Sequence, residues 1–171
     1  MTVPRKPRKT KPKSAEKKLT LTRIFAAPRM LVFAAWTRPE HLRVWSSPHG
    51  FTIPVGESDL RPGGRWRICM VSPEGEKLWV EGVYRKVVPG RLLDFTHAWE
   101  GEEDGPETLV TVRFADHPRG TKLTFTQTGF SSTASRDGHA GGWKECFERL
   151  GELLGKLPKP GAATKQTRRG R

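Results

Sequence analysis

The stretch "SDLRPGGRWRICM", residues 58–70, places a proline and two adjacent glycines directly in front of alternating large side chains. Pro62 presets a turn, and Gly63 and Gly64 allow positive φ and a sharp reversal at low steric cost. Asp59 precedes this turn, and we expect its carboxylate to accept hydrogen bonds from the backbone amides of the turn. The alternative role for Asp59 is that of a catalytic acid.

After the turn, the chain shows the two-residue period of a β-strand, with its large apolar residues on one face. That face carries Trp66, Ile68 and Met70. The same alternation recurs in three later segments, which are "LLDFTHAW" (92–99), "TLVTVRFAD" (108–116) and "TKLTFTQT" (121–128). Turn sequences separate these segments, so we predict half-buried antiparallel strands joined as a meander.

Helical patterns flank these strands. "KLTLTRIF" (18–25) predicts a first strand, and prolines begin two short helices, "PRMLVFAAW" (28–36) and "PEHLRVW" (39–45). Near the C-terminus, helical spacing of apolar residues predicts a long amphipathic helix. Its apolar face consists of Trp143, Phe147, Leu150, Leu154 and Leu157. "GHAGGW" (138–143) lacks the lysine and hydroxyl residue of a phosphate-binding loop, so we expect flexible chain before the helix.

Together these elements predict an α+β domain, in which a curved antiparallel sheet covers its apolar face with the long C-terminal helix. A strongly curved sheet that grips one helix leaves space inside, and an apolar cavity of this kind suits a small hydrophobic molecule. We predict that the wall of the ligand site is formed by residues on the inward face of the strands and on the apolar face of the helix. It consists of Trp66, Ile68, Met70, Phe95, His97, Trp99, Phe114, Phe125, Trp143 and Phe147.

The net charge of +13 is concentrated at the two ends of the chain. Residues 1–18 contain eight Lys or Arg and one acidic residue, and residues 158–171 contain five Lys or Arg and no acid. Both segments offer little apolar area to bury, so we predict disordered basic tails around a single domain at 19–157. Such tails provide solubility or a weak attraction to polyanions, which argues against a folded nucleic-acid-binding face.

Several segments resemble a known family in their order and spacing. They are "FAAPRMLVFAAWTRPEHLRVW", "SDLRPGGRWRICM", "EGVYRKVVPGRLLDFTHAW", "VTVRFAD" and "TKLTFTQTGFSS" followed by "GHAGGWKECFERLGELL". The chain resembles the START-like (SRPBCC) superfamily and, within it, the bacterial proteins named for similarity to the activator of the heat-shock-protein-90 ATPase. The resemblance covers residues 19–157. It implies a helix-grip fold with a hydrophobic cavity, and the family name by itself does not imply that this chain contacts a chaperone.

The polar residues give little sign of metal or cofactor chemistry. No two histidines stand at i+3 or i+4, and Cys69 and Cys146 form no CxxC motif, so we predict no metal site and no cofactor. His97 shares a strand face with aromatic residues, where it could orient a ligand or act as an acid or base. The alternatives for His97 are a hydrogen-bonded structural role and a position on the convex face of the sheet. His139 could border the cavity mouth, but we expect a surface position for it.

Cysteine content and hydropathy suggest where the protein works. Two cysteines without a paired motif fit a reducing, cytoplasmic setting. No apolar run approaches the roughly 20 residues of a membrane span, and no apolar core follows the charged N-terminus as in a secretory signal. We therefore predict a cytoplasmic protein without a membrane span.

Three functions remain open at this point. The first is binding of a small hydrophobic or aromatic ligand in the cavity. The second is an enzyme acting on such a ligand, with Asp59 or His97 as its acid or base, which would require two ionisable groups that both face the cavity. The third is a chaperone- or partner-binding protein, which predicts an exposed apolar patch instead of an enclosed pocket.

Overall fold

A computed structural model of the chain describes residues 17–102 and 107–159. In chain order, the elements of these residues are β1 (Leu19–Phe25), α1 (Arg29–Thr37), α2 (Pro39–Trp45), β2 (Thr52–Ser58), β3 (Arg65–Val71), β4 (Lys77–Val88), β5 (Leu92–Trp99), β6 (Thr108–His117), β7 (Gly120–Thr128) and α3 (Thr133–Lys156). Most of both predicted tails, at 1–16 and 160–171, lies outside the described residues, and so does part of the acidic β5–β6 loop.

The seven strands form one sheet in the order β1-β7-β6-β5-β4-β3-β2, and every neighbouring pair is antiparallel. β1 and β2 are therefore the two edges of the sheet, and α1 and α2 carry the chain from one edge to the other. The long helix α3 packs against β1, α1 and α2. This arrangement confirms the predicted α+β helix-grip architecture and the predicted antiparallel meander from β3 onwards, and it adds β2, which was not predicted.

The two glycines of the β2–β3 turn serve different purposes. Gly63 has a φ of +82°, which favours glycine, whereas a Cβ on Gly64 would lie 1.9 Å from the backbone oxygen of Asp59. Gly63 N donates to Tyr84 O across 2.7 Å, and Tyr84 N donates to Gly64 O across 2.9 Å, so the turn is bonded to β4. Positive φ is thus confirmed at Gly63, but Gly64 is needed for close approach.

The buried side chains form two separate hydrophobic clusters on the concave side of the sheet. The larger one joins α1, α3, β1, β5, β6 and β7, with Leu93, Val110 and Phe125 completely or almost completely buried. The smaller one lies at the other end, on β2, β3 and β4, and includes Ile68 and Met70. The space between these clusters is where the cavity described below lies.

The last helix begins earlier than the sequence indicates. α3 starts at Thr133, so "GHAGGW" (138–143) lies inside the helix, and the prediction of flexible chain there is wrong. Ser132 Oγ caps the helix by accepting a hydrogen bond from Ser135 N at 3.0 Å. The ring of His139 packs 5.0 Å from that of Phe130. Capping and packing therefore override the low helix propensity of glycine, which is about 1 kcal/mol per residue below that of alanine.

Candidate functional site

A partly open cavity of about 430 Å³ lies between the concave face of the sheet and the first half of α3. Seven of the ten predicted wall residues line it: Trp66, Ile68, Met70, Phe95, His97, Trp99 and Trp143. The remaining lining comes from α1, α2 and the chain after α2 (Trp36, Leu42, Trp45, Ser46, Pro48, Phe51), from β2 and β4 (Glu57, Ser58, Leu78, Val80, Tyr84), and from α3 (Ser135, Gly138, His139, Gly142, Cys146).

Three predicted wall residues, Phe114, Phe125 and Phe147, lie in the solid core instead of the cavity wall. They do point inward as the alternation indicates, but α1 fills the concavity at their end of the sheet. Phe33 of α1 packs 5.5 Å from Phe114, and Trp36 packs 6.0 Å from Phe147. The predicted inward orientation of these three residues was correct. Alternation does not show, however, that α1 would cover them.

Trp66 is positioned by a close approach between strands. Its Nε1 donates to the backbone oxygen of Thr96 across 3.2 Å, and it pairs with Gly82 in the β3–β4 register. A Cβ on Gly82 would lie 1.8 Å from Thr96 O and 2.6 Å from Trp66 Nε1. Glycine at this position therefore allows the indole to lie across β4 and to form part of the cavity wall.

Two further cavity indoles, those of Trp45 and Trp99, donate their N–H groups to other residues of the protein. Trp45 Nε1 donates to Ala35 O at 2.8 Å, and Trp99 Nε1 donates to His139 Nε2 at 3.1 Å. Trp36 Nε1 is buried and has no hydrogen-bond partner in the described part of the chain. Its ring is packed against those of Trp45 and other aromatic residues. The cavity indoles therefore contribute apolar surface to the wall more than free hydrogen-bond donors.

A chain of buried hydrogen bonds leads from α3 to the backbone of His97. Trp143 Nε1 donates to Gln127 Oε1 at 2.9 Å, and Gln127 Nε2 donates to Thr108 Oγ1 at 2.8 Å. The Thr108 hydroxyl then donates to the carbonyl oxygen of His97 at 3.0 Å. Because Gln127 and Thr108 are buried, these bonds hold β5, β6, β7 and α3 in one register beside the cavity.

His97 is a buried histidine of the cavity wall, with 6% of its surface exposed. Its ring centroid lies 5.6–6.1 Å from those of Trp66, Trp99, Trp143 and His139. Burial, with a smaller contribution from His139, lowers the pKa of His97 from 6.5 to about 3. The ring nitrogens of His97 form no hydrogen bond to another residue within 17–102 and 107–159. The imidazole is therefore neutral at physiological pH.

His139 lines the cavity, so the prediction of a surface position is wrong. The extension of α3 places it opposite the end of β5, where Nε2 accepts from Trp99. Its Nδ1 lies 2.7 Å from Ser135 O, to which the ring donates. With both nitrogens engaged in this way, the ring is held as the neutral Nδ1–H tautomer.

The remaining candidates for chemistry have structural surroundings. The Asp59 carboxylate lies outside the cavity wall, is about half exposed, and accepts from Arg61 Nε at 2.8 Å instead of from the turn amides. Those amides bond to backbone carbonyls. Burial raises the pKa of the Cys146 thiol to about 12, which leaves it protonated and weakly nucleophilic. Across residues 17–102 and 107–159, no cluster of His, Cys, Asp and Glu is arranged to hold a metal ion.

Two parts of the site were not identified from the sequence. Gln127 occupies the apolar phase of β7 after Leu123 and Phe125, and a polar residue on that phase could have indicated a buried hydrogen-bond network. Tyr84 follows the inward phase of β4, and its hydroxyl lies 2.9 Å from Ser58 Oγ. Burial raises the pKa of Tyr84, so it stays a neutral phenol in the wall. The alternation along β4 could have indicated that the Tyr84 side chain points inward.

Comparison with known proteins agrees with this architecture. Residues 26–155 match the model of the family described as "Activator of Hsp90 ATPase homolog 1-like protein". No curated protein matches the chain. In the described part of the chain, no helix has the length and apolarity needed to cross a bilayer.

Solved structures from several bacteria are similar over the domain. Protein CV1439 from Chromobacterium violaceum is 26% identical, with a TM-score of 0.76 over 81% of this chain and 96% of that one. Protein NE0264 from Nitrosomonas europaea is 28% identical, with a TM-score of 0.72 over 82% and 96%. The AHSA1 protein from Silicibacter pomeroyi is 27% identical, with a TM-score of 0.72 over 81% and 97%.

Proposed function

We propose that this chain, which belongs to the Activator of Hsp90 ATPase homolog 1-like family of the START-like superfamily, binds a small molecule. The ligand is apolar or aromatic and lies between the sheet and α3. The observation that carries this proposal is the cavity of about 430 Å³, which has five of the six tryptophans in its wall. Ligand sites commonly have volumes of roughly 300–1,000 Å³ and mostly apolar linings. Trp66, Ile68, Met70, Phe95, His97, Trp99 and Trp143 are the proposed ligand contacts.

The enzyme alternative receives less support from the same site. His97 and His139 are two ionisable side chains that both line the cavity, with ring centroids 5.9 Å apart. However, both nitrogens of His139 are engaged in hydrogen bonds, and a base whose pKa is about 3 is poorly matched to neutral pH. Asp59 lies outside the wall. These residues therefore favour ligand binding without catalysis.

The partner-binding alternative predicts an exposed apolar patch. The large apolar side chains that are exposed in residues 17–102 and 107–159 come from different elements or loops: Ile24, Met30, Val44, Val55, Leu60 and Val88. A partly open, largely apolar cavity next to a neutral histidine supports a small-molecule ligand more directly than this distribution supports a protein partner. The two free cysteines are both buried, which is compatible with the proposed cytoplasmic setting.

Two glycines of α3 provide a matched test. Gly142 lines the cavity, and a Cβ there would meet only Pro48 Cγ, at 3.9 Å. Gly141 is exposed outside the wall, and a Cβ there would meet nothing within 4 Å. Gly142→Leu should therefore fill the cavity and Gly141→Leu should not. Both substitutions raise helix propensity, by up to about 1 kcal/mol.

The readout is a titration with N-phenylnaphthylamine, an uncharged dye whose fluorescence rises in apolar surroundings. We expect the parent protein and Gly141→Leu to bind it with similar affinity. We expect Gly142→Leu to bind at least roughly tenfold more weakly while melting no lower than the parent. Equal binding by the two glycine variants, both folded, would show that the ligand site lies elsewhere.

A further inference from the structure

In the part of the chain that the structure describes, no residue that lines the cavity is Lys or Arg. Glu57, which is exposed, is the only described residue that brings a carboxylate to the wall. The deep part of the cavity therefore offers no counter-ion to a charged ligand. An anion moved there from water would lose its hydration without gaining a charged partner, which is costly.

Among the described residues, two buried side chains of this wall have polar ring atoms without a hydrogen-bond partner in another residue, namely His97 and Trp36. The indole N–H of Trp36 can only donate, whereas the imidazole of His97 has both a donor and an acceptor. Its backbone is fixed by the Thr108 hydroxyl, which belongs to the hydrogen-bond chain that begins at Trp143. Its ring is held among three indoles and His139, yet its nitrogens form no hydrogen bond to another residue of the described chain. A buried polar group without a partner is unfavourable, so a ligand that supplies one gains affinity from it.

The chemistry of a neutral imidazole narrows what that ligand group is. One ring nitrogen donates and the other accepts, and a hydroxyl can match either role. Because burial holds the pKa of His97 at about 3, the ring does not become a cation that could pair with a carboxylate near neutral pH. A cationic ligand would meet aromatic faces. However, the poorly solvating surroundings that disfavour protonation of His97 also disfavour a positive charge on a ligand beside it.

We infer that the cavity selects uncharged, hydroxyl-bearing apolar or aromatic molecules, and that His97 recognises their hydroxyl group. This inference rests on the proposed ligand-binding function and specifies its ligand class. His97 thereby acts as the specificity-determining residue of the site, while the tryptophans provide apolar contact area.

A pair of dyes with one ring system tests the charge selectivity. Anilinonaphthalene sulfonate has the skeleton of N-phenylnaphthylamine plus one negative charge. We expect the parent protein to bind the sulfonate at least roughly tenfold more weakly than the uncharged dye, counting only fluorescence that excess naphthol displaces. Binding of both dyes with equal affinity would overturn the inference and leave the proposed function standing. Binding of neither dye would contradict the proposed function and the inference with it.

A second comparison tests the role of His97. Naphthol and naphthalene compete against N-phenylnaphthylamine in the parent and in His97→Phe, which keeps a ring but removes its hydrogen-bonding nitrogens. We expect the ratio of the naphthol affinity to the naphthalene affinity to fall about threefold to tenfold in this variant. His97→Gln, which keeps a donor and an acceptor, should retain more of that preference. His117→Phe is the control, because His117 is outside the cavity wall.

The two experiments remain decisive if one variant fails to fold, since the dye pair needs only the parent protein. An unchanged affinity ratio in a folded His97→Phe would overturn the assignment of His97. Tighter binding of naphthyl trimethylammonium than of naphthol by the parent would show that the indoles form a site for cations, and this too would overturn the inference.

Discussion

The indole N–H of Trp99 donates a hydrogen bond to Nε2 of His139 across 3.1 Å, and this bond joins the end of β5 to the first half of α3. The other nitrogen of His139 donates to Ser135 O, which fixes the ring orientation. This half of the helix contains Gly138, Gly141 and Gly142, so its own propensity is low. The contact therefore helps to hold a weak helical segment over the cavity.

Removal of this contact should loosen the start of α3. We expect His139→Ala to speed amide hydrogen exchange in residues 133–142 and to lower the free energy of unfolding by about 1 kcal/mol, the usual value of one hydrogen bond. Exchange in the second half of α3 should change little. The control is His117→Ala, at the end of β6. Unchanged protection of residues 133–142 in His139→Ala would show that the bond does not stabilise the segment.

The buried His97 should make stability depend on pH in one direction. Its pKa is about 3 in the folded protein and about 6.5 in the unfolded chain, so the unfolded state takes up the proton first as pH falls. The stabilisation is present above pH 6.5 and is lost as pH falls towards 3. At about 1.4 kcal/mol per pH unit, the loss between pH 7 and pH 5 is about 2 kcal/mol.

The measurement is urea unfolding at pH 7 and pH 5 of the parent and of His97→Gln, which cannot titrate. We expect the parent to lose about 2 kcal/mol more than the variant over this interval. His117→Gln is the control, because His117 is the last residue of β6 and lies outside the cavity wall. The same loss in the parent and in His97→Gln would mean that His97 titrates normally and is not buried in solution.

Substitutions in the β2–β3 turn can separate two reasons for glycine, which are the positive φ of Gly63 and the close backbone approach at Gly64. Gly64→Ala should place a Cβ against the backbone oxygen of Asp59, so the backbone must shift, and we expect a loss of at least about 2 kcal/mol. Gly63→Ala meets no atom within 4 Å and should cost about 1–2 kcal/mol from its positive φ alone. Chemical denaturation of both variants checks this order. A smaller loss for Gly64→Ala than for Gly63→Ala would contradict it.

Periodicity in the sequence was sufficient to predict which face of β3, β5, β6 and β7 points inward. Trp66 on β3 and His97 on β5 both line the cavity as their alternation indicated. Phe125 on β7 has the same inward phase, but it lies in solid core because α1 occupies that end of the concavity. Alternation identifies a face, but the element that covers the face is set by packing between residues distant in sequence.

The start of α3 shows a second limit of local patterns. Three glycines within five residues favour flexible chain when only local propensity is considered. The observed helix there is supported by the Ser132 cap, by the contact of His139 with Trp99, and by the packing of the following residues on the core. None of these partners is apparent from the spacing of "GHAGGW" (138–143).

Arg149 should be needed for the end of the cavity that the α2–β2 connection forms. Its Nη1 donates to Ser47 O at 2.7 Å, to Ser47 Oγ at 2.8 Å and to Pro48 O at 3.1 Å. Arg149→Met leaves these acceptors without their charged donor, so we expect a loss of about 1–3 kcal/mol and weaker binding of N-phenylnaphthylamine.

Glu148→Gln is the matched control, because it weakens the 2.9 Å hydrogen bond between Glu148 and His49, which lies on the same connection. Both partners of this pair are exposed, so we expect the change to cost less than about 1 kcal/mol and to leave dye binding unaffected. Urea unfolding and dye titration on both variants check this pair of expectations. Equal effects of the two substitutions would show that Arg149 contributes no more than a surface contact.

The central claim is that a small uncharged ligand binds between the sheet and α3, and the six tryptophans allow it to be tested in one spectrum. Five of their indoles line the cavity, whereas the ring of Trp79 lies outside it, with the Arg67 guanidinium 3.8 Å from its centroid. Titration of ¹⁵N-labelled protein with naphthol should move the indole N–H resonances of Trp66, Trp99 and Trp143 and leave that of Trp79 in place. A bound ligand that moves Trp79 while the cavity indoles stay fixed would contradict the account.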